Sequence, residues 1–229
     1  MIDIHAHVLP LIDDGSASLE QSLKILKTAV EQGVTDVIAT PHLRGEYNAS
    51  PEKIKDELNA FYHKVKESGI NVNLYPGQEI FIDGDYKKLF SSNSVLGLNQ
   101  TKYVLLEFDY FEDFDIAEVV YELKTMGYVP VIAHFERYSY AGIEVAEEVK
   151  ALGGLIQVNA ESLVGKDKRS YLKKVKKLFN EGLVDFVASD VHDFRENMLL
   201  KAFNFVSKKF GKATAQAVFN ENAKMIIGG

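Results

Sequence analysis

Short apolar segments alternate with amphipathic segments along the whole 229-residue chain, and this alternation limits the folds that the chain can adopt. The apolar segments are rich in valine, isoleucine and leucine and mostly lack the polar alternation of a half-exposed sheet. Both properties are typical of parallel strands that are covered on both faces. We predict seven strands, at residues 2–4, 34–39, 72–75, 103–106, 129–133, 155–158 and 183–188.

Helical patterns separate most of these strands. One helix is expected between an N-cap at Ser18 and a stop at Gly33, and another opens at Ser50 and Pro51. Further helices are predicted at residues 116–126, 143–152, 171–179, 196–210 and 213–227. Because no linker rich in glycine or proline interrupts the pattern, we predict a single domain spanning residues 1–229.

The residues after the first strand help to choose between two α/β architectures. An open doubly wound sheet usually has a glycine-rich phosphate loop there, whereas this chain has His5 and His7. A repeated strand–helix pattern can also close on itself. We therefore predict an α/β fold in the form of a distorted seven-stranded (β/α)7 barrel related to the eight-stranded TIM barrel.

Composition excludes several kinds of function. The net charge of −7 argues against non-specific nucleic-acid binding, which needs a basic surface. The chain has no cysteine, which excludes disulfides, zinc–thiolate sites and cysteine-dependent phosphatase chemistry. No secretory signal pattern opens the chain and no apolar stretch has the length of a membrane span, so we expect a cytoplasmic protein without membrane insertion.

A polar or metal-binding residue follows every predicted strand. Five of the six histidines occupy such positions, which is hard to produce by chance. In parallel (β/α) barrels the carboxyl ends of the strands converge on one face, where the active sites lie. The candidate metal ligands are His5, His7, Asp14, His42, Glu79, Glu107, His134, Asp190 and His192.

These nine side chains are too many for one ion, and a carboxylate such as Glu79 could bridge two. Imidazoles and carboxylates without thiolates suit Mn²⁺, Fe²⁺ or Zn²⁺. Clustered divalent ions suit the hydrolysis of phosphate esters, because they polarise phosphoryl oxygens, generate hydroxide near neutral pH and offset leaving-group charge.

Six stretches of the chain match motifs of one protein family in the same order, at residues 1–10, 12–15, 40–42, 77–79, 133–137 and 189–192. On these stretches the chain resembles the polymerase and histidinol phosphatase (PHP) superfamily. More narrowly, it is similar to the bacterial manganese-dependent protein-tyrosine phosphatases of capsule and exopolysaccharide loci. The histidine pair alone is a weak motif, whereas the complete series is specific.

The resemblance implies three divalent ions, with Mn²⁺ expected and Fe²⁺, Zn²⁺ or Mg²⁺ as alternatives. It implies a first group of ligands made of His5, His7, Glu79 and Asp190, a second of Glu79, Glu107 and His134, and a third of Asp14, His42 and His192. It also implies a tyrosine-phosphorylated protein as the substrate, namely the tail of a bacterial tyrosine kinase that regulates capsular or exopolysaccharide synthesis.

Two departures from the family pattern affect the catalytic arginines. The family usually has a proline where this chain has Phe135, and Phe135 lacks the fixed φ that would help to place Arg137. The family also tends to have an arginine beyond the motif at residues 190–192, and Arg195 is the only candidate, at a shorter spacing.

Our hypothesis is phosphomonoester hydrolysis in which a metal-bound hydroxide attacks phosphorus. Arg137, and Arg195 with it, would stabilise the phosphoryl oxygens. A protonated His42 or His192, or a metal ion, would assist the leaving group. Three alternatives stay open: a histidinol-phosphate or nucleotide phosphatase of the same superfamily, an amidohydrolase, and a non-catalytic metal-binding interaction module.

Two further patterns have an ordinary structural interpretation. Aromatic residues near the proposed face could form a slot for a phenyl ring, although loop packing is the better interpretation for any one of them. They are Tyr47, Phe108, Tyr110, Phe111, Phe135 and Tyr138. A basic cluster at residues 166–177 is predicted to be the solvated outer face of a helix.

Overall fold

The computed structural model describes residues 1–92, 94–193 and 195–228, and all the strand pairs within them are parallel. Gly229, the last residue of the predicted domain, lies outside this described part. The strands are β1 (Ile2–Ala6), β2 (Asp36–Ala39), β3 (His42–Leu43), β4 (Asn73–Pro76), β5 (Glu79–Phe81), β6 (Tyr103–Glu107), β7 (Val129–Ile132), β8 (Leu155–Asn159) and β9 (Phe186–Ala188).

These strands form a curled parallel sheet in two hydrogen-bonded parts, ordered β1-β2-β4 and β3-β5-β6-β7-β8-β9. The segment after β9 returns to β1, since the Asp190 N–H donates to the His5 carbonyl at 2.9 Å and the His7 N–H donates to the Val191 carbonyl at 3.1 Å. The α/β class and the parallel sheet are thus confirmed.

The predicted count of seven strands is not confirmed, because the described residues form nine. Each predicted segment overlaps an observed strand, but the second and third segments are followed by the additional short strands β3 and β5. Pro41, which lacks the N–H needed for a ladder hydrogen bond, lies between β2 and β3. Gly77 and Gln78 separate β4 from β5.

Helices follow the strands with the expected start signals. The Ser18 side chain accepts a hydrogen bond from the Gln21 N–H at the start of the first helix. At the start of the second helix, the Ser50 side chain accepts one from the Lys53 N–H. The helices are α1 (Leu19–Glu31), α2 (Pro51–Glu67), α3 (Tyr86–Ser91), α4 (Ile116–Thr125), α5 (Ile143–Ala151), α6 (Ala160–Leu163), α7 (Arg169–Asn180), α8 (Leu199–Phe210), α9 (Lys212–Gln216) and α10 (Asn222–Ile227).

The short helices α3 and α6 were not predicted, and the predicted helix at 213–227 is divided by a π-helical turn, Ala217–Glu221. None of the helices formed by the described residues has both the length and the apolarity that crossing a bilayer requires.

Both faces of the sheet are covered. Leu105 in β6 belongs to a cluster of buried side chains contributed largely by strands, whereas its neighbours Val104 and Leu106 belong to a second cluster that includes helix residues such as Leu26. Successive side chains of a strand point to opposite faces, so this division confirms the prediction of strands that are buried on both sides.

Candidate metal centre

Four of the predicted ligands meet at the carboxyl end of β1. The Nε2 atoms of His5 and His7 lie 3.1 Å apart, and both lie close to Glu79 Oε2, at 3.3 and 3.2 Å. Asp190 Oδ1 is 3.5 Å from His5 Nε2 and 3.6 Å from His7 Nε2. Two donors each bound at about 2.1 Å to one ion are separated by roughly 3–3.5 Å, so these spacings suit a shared cation.

Glu79 also reaches a second group of donors. Its Oε1 is 2.8 Å from His134 Nε2, and its Oε2 is 3.0 Å from His42 Nδ1. Glu107 lies near the same two histidines, with Oε2 3.9 Å from His42 Nδ1 and Oε1 3.9 Å from His134 Nε2. Glu79 therefore lies between the first and second groups, as expected of a bridging carboxylate.

The third group lies at the outer edge of the site. Asp14 Oδ1 is 3.5 Å from His42 Nε2 and 3.6 Å from His192 Nε2. The rings of His7 and His192 are stacked with their centroids 4.1 Å apart. Among the described residues, donors of three groups lie within 4.8 Å of one another: His7 with Asp14, His42 and His192; His5 with His7 and Asp190; His42 with Glu79 and Glu107.

The structure thus brings all nine predicted ligands together, but it groups them slightly differently from the expectation. His7 adds to the third group. In the second group His42 takes the place of His134, and the first group contains His5, His7 and Asp190 without Glu79. His42 uses Nδ1 toward Glu79 and Nε2 toward Asp14, so its ring spans two groups.

Two side chains that sequence reasoning missed hold the ligands in place. Asp13 Oδ2 lies 2.7 Å from His7 Nδ1 and accepts a hydrogen bond from the His42 N–H at 3.0 Å. Gln157 Oε1 lies 3.1 Å from His5 Nδ1 and accepts from the His134 N–H at 2.8 Å. Such partners fix the orientation and tautomer of histidine ligands. Asp13 precedes a predicted ligand and Gln157 lies within β8, but their sequence positions did not specify these contacts.

Gly15 allows the segment after β1 to lie against His7. A Cβ atom at this position would be 2.2 Å from His7 Cβ and 2.5 Å from the His7 carbonyl oxygen. A side chain at residue 15 would therefore displace either His7 or the loop that contains Asp13 and Asp14.

We expect Gly15→Ala to reduce the metal content of the purified protein and to lower its stability by about 1–3 kcal/mol, the usual cost of overpacking. Metal analysis and thermal unfolding would measure the two effects. Gly84→Ala is the matched control, because a Cβ at that position meets no atom within 4 Å. Equal metal content in the two variants would contradict the prediction.

Both predicted arginines reach the same ligand. Arg137 Nη1 donates to Asp190 Oδ2 at 3.0 Å, and its Nη2 lies 3.7 Å from Asp167 Oδ2. Arg195 Nη1 donates to the Asp190 carbonyl oxygen at 3.0 Å and also contacts its Oδ2. The two guanidinium groups line a cavity of about 490 Å³ together with Tyr110 and Tyr171. The short spacing of Arg195 therefore does not keep it from the site.

The charges of the site shift the pKa values of its members. Burial alone would lower the pKa of His5, but the Glu79 and Asp190 carboxylates outweigh it and raise that pKa. Burial would raise the pKa of Glu79, but His5 and His42 hold it well below its usual range. Burial and the adjacent Glu79 charge raise the pKa of Glu107 to about 7, and burial lowers the pKa of His134 to about 4.

The donor set fits divalent cations. Among the residues that the structure describes, neither His42 Nδ1 nor Glu79 Oε2 has a hydrogen-bond partner, although both atoms are buried. They lie 3.0 Å apart but are not aligned for a hydrogen bond with each other. Buried polar atoms without partners are unfavourable, and a cation between them would satisfy both.

A cluster of imidazoles and carboxylates at the carboxyl edge of a parallel sheet defines a class of metal-binding α/β proteins, and sequence comparison identifies the family. The family model for capsular polysaccharide synthesis, CpsB/CapC, matches residues 1–228, so the chain belongs to this family. The resemblance inferred from the motifs is thereby confirmed.

Three similar proteins support this membership. Tyrosine-protein phosphatase YwqE of Bacillus subtilis is 33% identical, covering 99% of this chain and 91% of the relative. Tyrosine-protein phosphatase CpsB of Streptococcus agalactiae is 31% identical, covering 99% and 98%. A structure from a crystallographic study of YwqE and of CpsB from Streptococcus pneumoniae, metal-dependent tyrosine phosphatases, superposes with a TM-score of 0.91 at 29% identity, covering 99% and 94%.

Proposed function

We propose that this protein hydrolyses the phosphate ester of phosphotyrosine in a protein substrate and that it depends on divalent metal ions. The observation that supports this most directly is the convergence of eight of the predicted ligands in three clusters, with His134 2.8 Å from Glu79, beside a cavity lined by two arginines. The names of the CpsB/CapC relatives agree with this activity.

We propose three ions, Mn²⁺ in the first instance, held by the nine predicted ligands. The donor set contains only nitrogen and oxygen atoms, which suits Mn²⁺, and Fe²⁺, Zn²⁺ and Mg²⁺ are the alternatives for metal analysis to test. When bound, such ions supply a nucleophile from water near neutral pH and neutralise charge on the phosphoryl oxygens.

The residues of the chain itself bind and orient the substrate. Arg137 and Arg195 lie at the junction of the cavity and the ligand cluster, where their N–H groups can hold two phosphoryl oxygens. The same contacts would stabilise the charge that develops on these oxygens in the transition state. We propose that His42 or His192 gives a proton to the leaving phenolate at a stage when its imidazole is released from its ion, since both also belong to the proposed ligand set.

Aromatic side chains around the cavity suit a phenyl ring. Tyr110 and Tyr171 line its wall, and Phe111 is 91% exposed at its edge. By contrast, Phe108, Phe135 and Tyr138 are fully buried and pack with one another. Of the predicted slot residues, Tyr110 and Phe111 thus line the cavity, whereas Phe108, Phe135 and Tyr138 belong to the core. Tyr47 stacks with His42, with the ring centroids 6.2 Å apart. We propose that the tyrosine ring of the substrate lies against the cavity residues Tyr110, Phe111 and Tyr171.

The family and the relatives indicate the class of substrate. Because the CpsB/CapC family belongs to capsular polysaccharide synthesis, we propose that the substrate is a tyrosine-phosphorylated kinase that regulates capsular or exopolysaccharide production, dephosphorylated on its tail. A cytoplasmic location, expected from the sequence, would be consistent with such a partner.

We also propose an assignment for the fold. β2 with β3, and β4 with β5, would each occupy one position of a distorted seven-position barrel. The chain would act as the predicted single domain of residues 1–229. β2 pairs with β4 before the interruptions, and β3 pairs with β5 after them. The two interrupted strands are therefore neighbours along both of their parts, which supports this assignment.

The test is release of phosphate from a tyrosine-phosphorylated peptide by the purified protein, with Mn²⁺ and with excess chelator. We expect activity with Mn²⁺, loss in chelator and recovery on adding Mn²⁺ back. Phosphoserine peptide, histidinol phosphate and mononucleotides are the comparison substrates. Equal rates in chelator, or a preference for a small phosphoester, would overturn the proposal. Metal loading without hydrolysis of any substrate would favour a non-catalytic binding module.

The pKa of Glu107 leads to a prediction about metal binding. A carboxyl with a pKa of about 7 is largely protonated below neutral pH and must lose its proton before it can hold a cation. We therefore expect the affinity of chelator-treated protein for Mn²⁺ to fall between pH 7.5 and 5.5, by about tenfold per pH unit for each proton displaced. Calorimetric titrations in buffers of different ionisation enthalpy would count the protons. An affinity independent of pH would contradict the prediction.

A further inference from the structure

The turn that places Arg137 is held by a residue from a distant helix. Arg137 ends the short 3₁₀ turn Phe135–Arg137, which follows β7. Lys174 in α7 donates hydrogen bonds to the carbonyl oxygens of Phe135 and Tyr138, at 2.9 and 2.7 Å. These two carbonyls flank Glu136 and Arg137, so one ammonium group fixes both ends of the turn.

Lys174, like Lys176, differs from the two exposed lysines of its helix. It is only partly exposed, and its Nζ also lies 4.5 Å from the centroid of the Phe135 ring, within range of a cation–π interaction. Lys173 and Lys177 are exposed. The prediction that these lysines form a solvated helix face is thus wrong for Lys174. Burial lowers the pKa of Lys174 to about 8, with the nearby Glu136 carboxyl acting in the opposite direction.

We propose that Lys174 is a positioning residue for the reaction and acts through Arg137; this inference rests on the function proposed above. The turn begins at His134, whose backbone φ of 32° is a left-handed conformation that is rare for residues other than glycine. Phe135, unlike a proline, does not restrict its own φ, so the turn needs support from outside. Lys174 supplies that support through backbone carbonyls, and its hydrogen bonds within the described part of the chain go to Phe135 and Tyr138 rather than to the nine candidate ligands.

A double-mutant cycle separates positioning from general stabilisation. The variants are Lys174→Met, Arg137→Ala and the double mutant, measured with the Mn²⁺-loaded protein and a phosphotyrosine peptide. If Lys174 acts through Arg137, Lys174→Met should reduce kcat/KM by about 10- to 100-fold, as small misplacements of catalytic groups do. In the Arg137→Ala background the same change should have less than about a twofold effect.

Two further variants make the outcome unambiguous. Lys173→Met removes an exposed lysine from the same helix and should leave kcat/KM unchanged. Lys174→Arg keeps donors for the two carbonyls and should restore part of the activity. Equal losses from Lys174→Met in both backgrounds, or no loss in either, would overturn the inference.

A separate readout keeps this inference distinct from the proposed function. Inorganic phosphate should bind the Mn²⁺-loaded protein through Arg137, and Lys174→Met should weaken that binding while Lys173→Met should not. If the wild type failed to hydrolyse any phosphotyrosine peptide, the proposed function would be wrong, and phosphate affinity would still decide the role of Lys174. Unchanged affinity in Lys174→Met would then count against it.

Discussion

Replacement of Glu79 by glutamine should remove activity and reduce the bound metal more than replacement of any other ligand. Its two oxygens lie between 2.8 and 3.3 Å from nitrogen atoms of four histidines: His5, His7, His42 and His134. The loss of its charge therefore affects more than one group of donors. We expect phosphatase activity to fall by more than about 100-fold, since even partners that only orient a ligand typically contribute 10- to 100-fold.

Metal analysis and turnover of a phosphotyrosine peptide would measure the effect of Glu79→Gln. Glu57→Gln changes an exposed carboxylate in α2 and should leave both quantities unaltered. A Glu79→Gln protein that kept the metal content of the wild type would show that Glu79 is not a shared ligand.

The second large effect is expected for Arg137→Ala. The Arg137 side chain is only 11% exposed, contacts Asp190 and borders the cavity, so its removal takes one hydrogen-bond donor from Asp190 and one from the phosphoryl group of the substrate. We expect kcat/KM to fall by about 10²- to 10³-fold, the usual cost of losing one transition-state donor. The fall should appear in kcat as well as in KM, because the contact strengthens as charge develops.

Arg169→Ala is the matched control, because Arg169 is exposed at the start of α7 and outside the residues that line the cavity. Steady-state kinetics on one peptide would compare the variants. If kcat were unchanged in Arg137→Ala and only KM rose, Arg137 would bind substrate without stabilising the transition state.

The ligands could be predicted from the sequence because a parallel sheet places the ends of its strands together. His5 lies at the carboxyl end of β1 and His7 just beyond it, and Glu79 lies just beyond β4 at the start of β5. The order β1-β2-β4 brings these strand ends to the same edge of the sheet. The same rule applies to Asp190 and His134, which follow β9 and β7, so the sequence predicts these candidate ligands as well.

The supporting contacts could not be predicted in this way, because they depend on how individual side chains turn. Asp13 and Asp14 are adjacent, yet Asp13 orients His7 and Asp14 faces His42 and His192. Lys174 is one of several lysines in α7, and only packing against the Phe135 turn distinguishes it. The interruptions that create β3 and β5 likewise depend on local backbone geometry rather than on the apolar pattern.

The ligand cluster joins residues from both ends of the chain, from His5 in β1 to His192 beyond β9. A bound ion would therefore tie the first strand to the last across nearly the whole polypeptide, in a protein that has no cysteine with which to form a covalent cross-link. An ion present at about 100 times its dissociation constant would add roughly 2.7 kcal/mol to the free energy of unfolding. Supply of the metal would then govern how long the enzyme survives proteolysis, in addition to its rate of turnover.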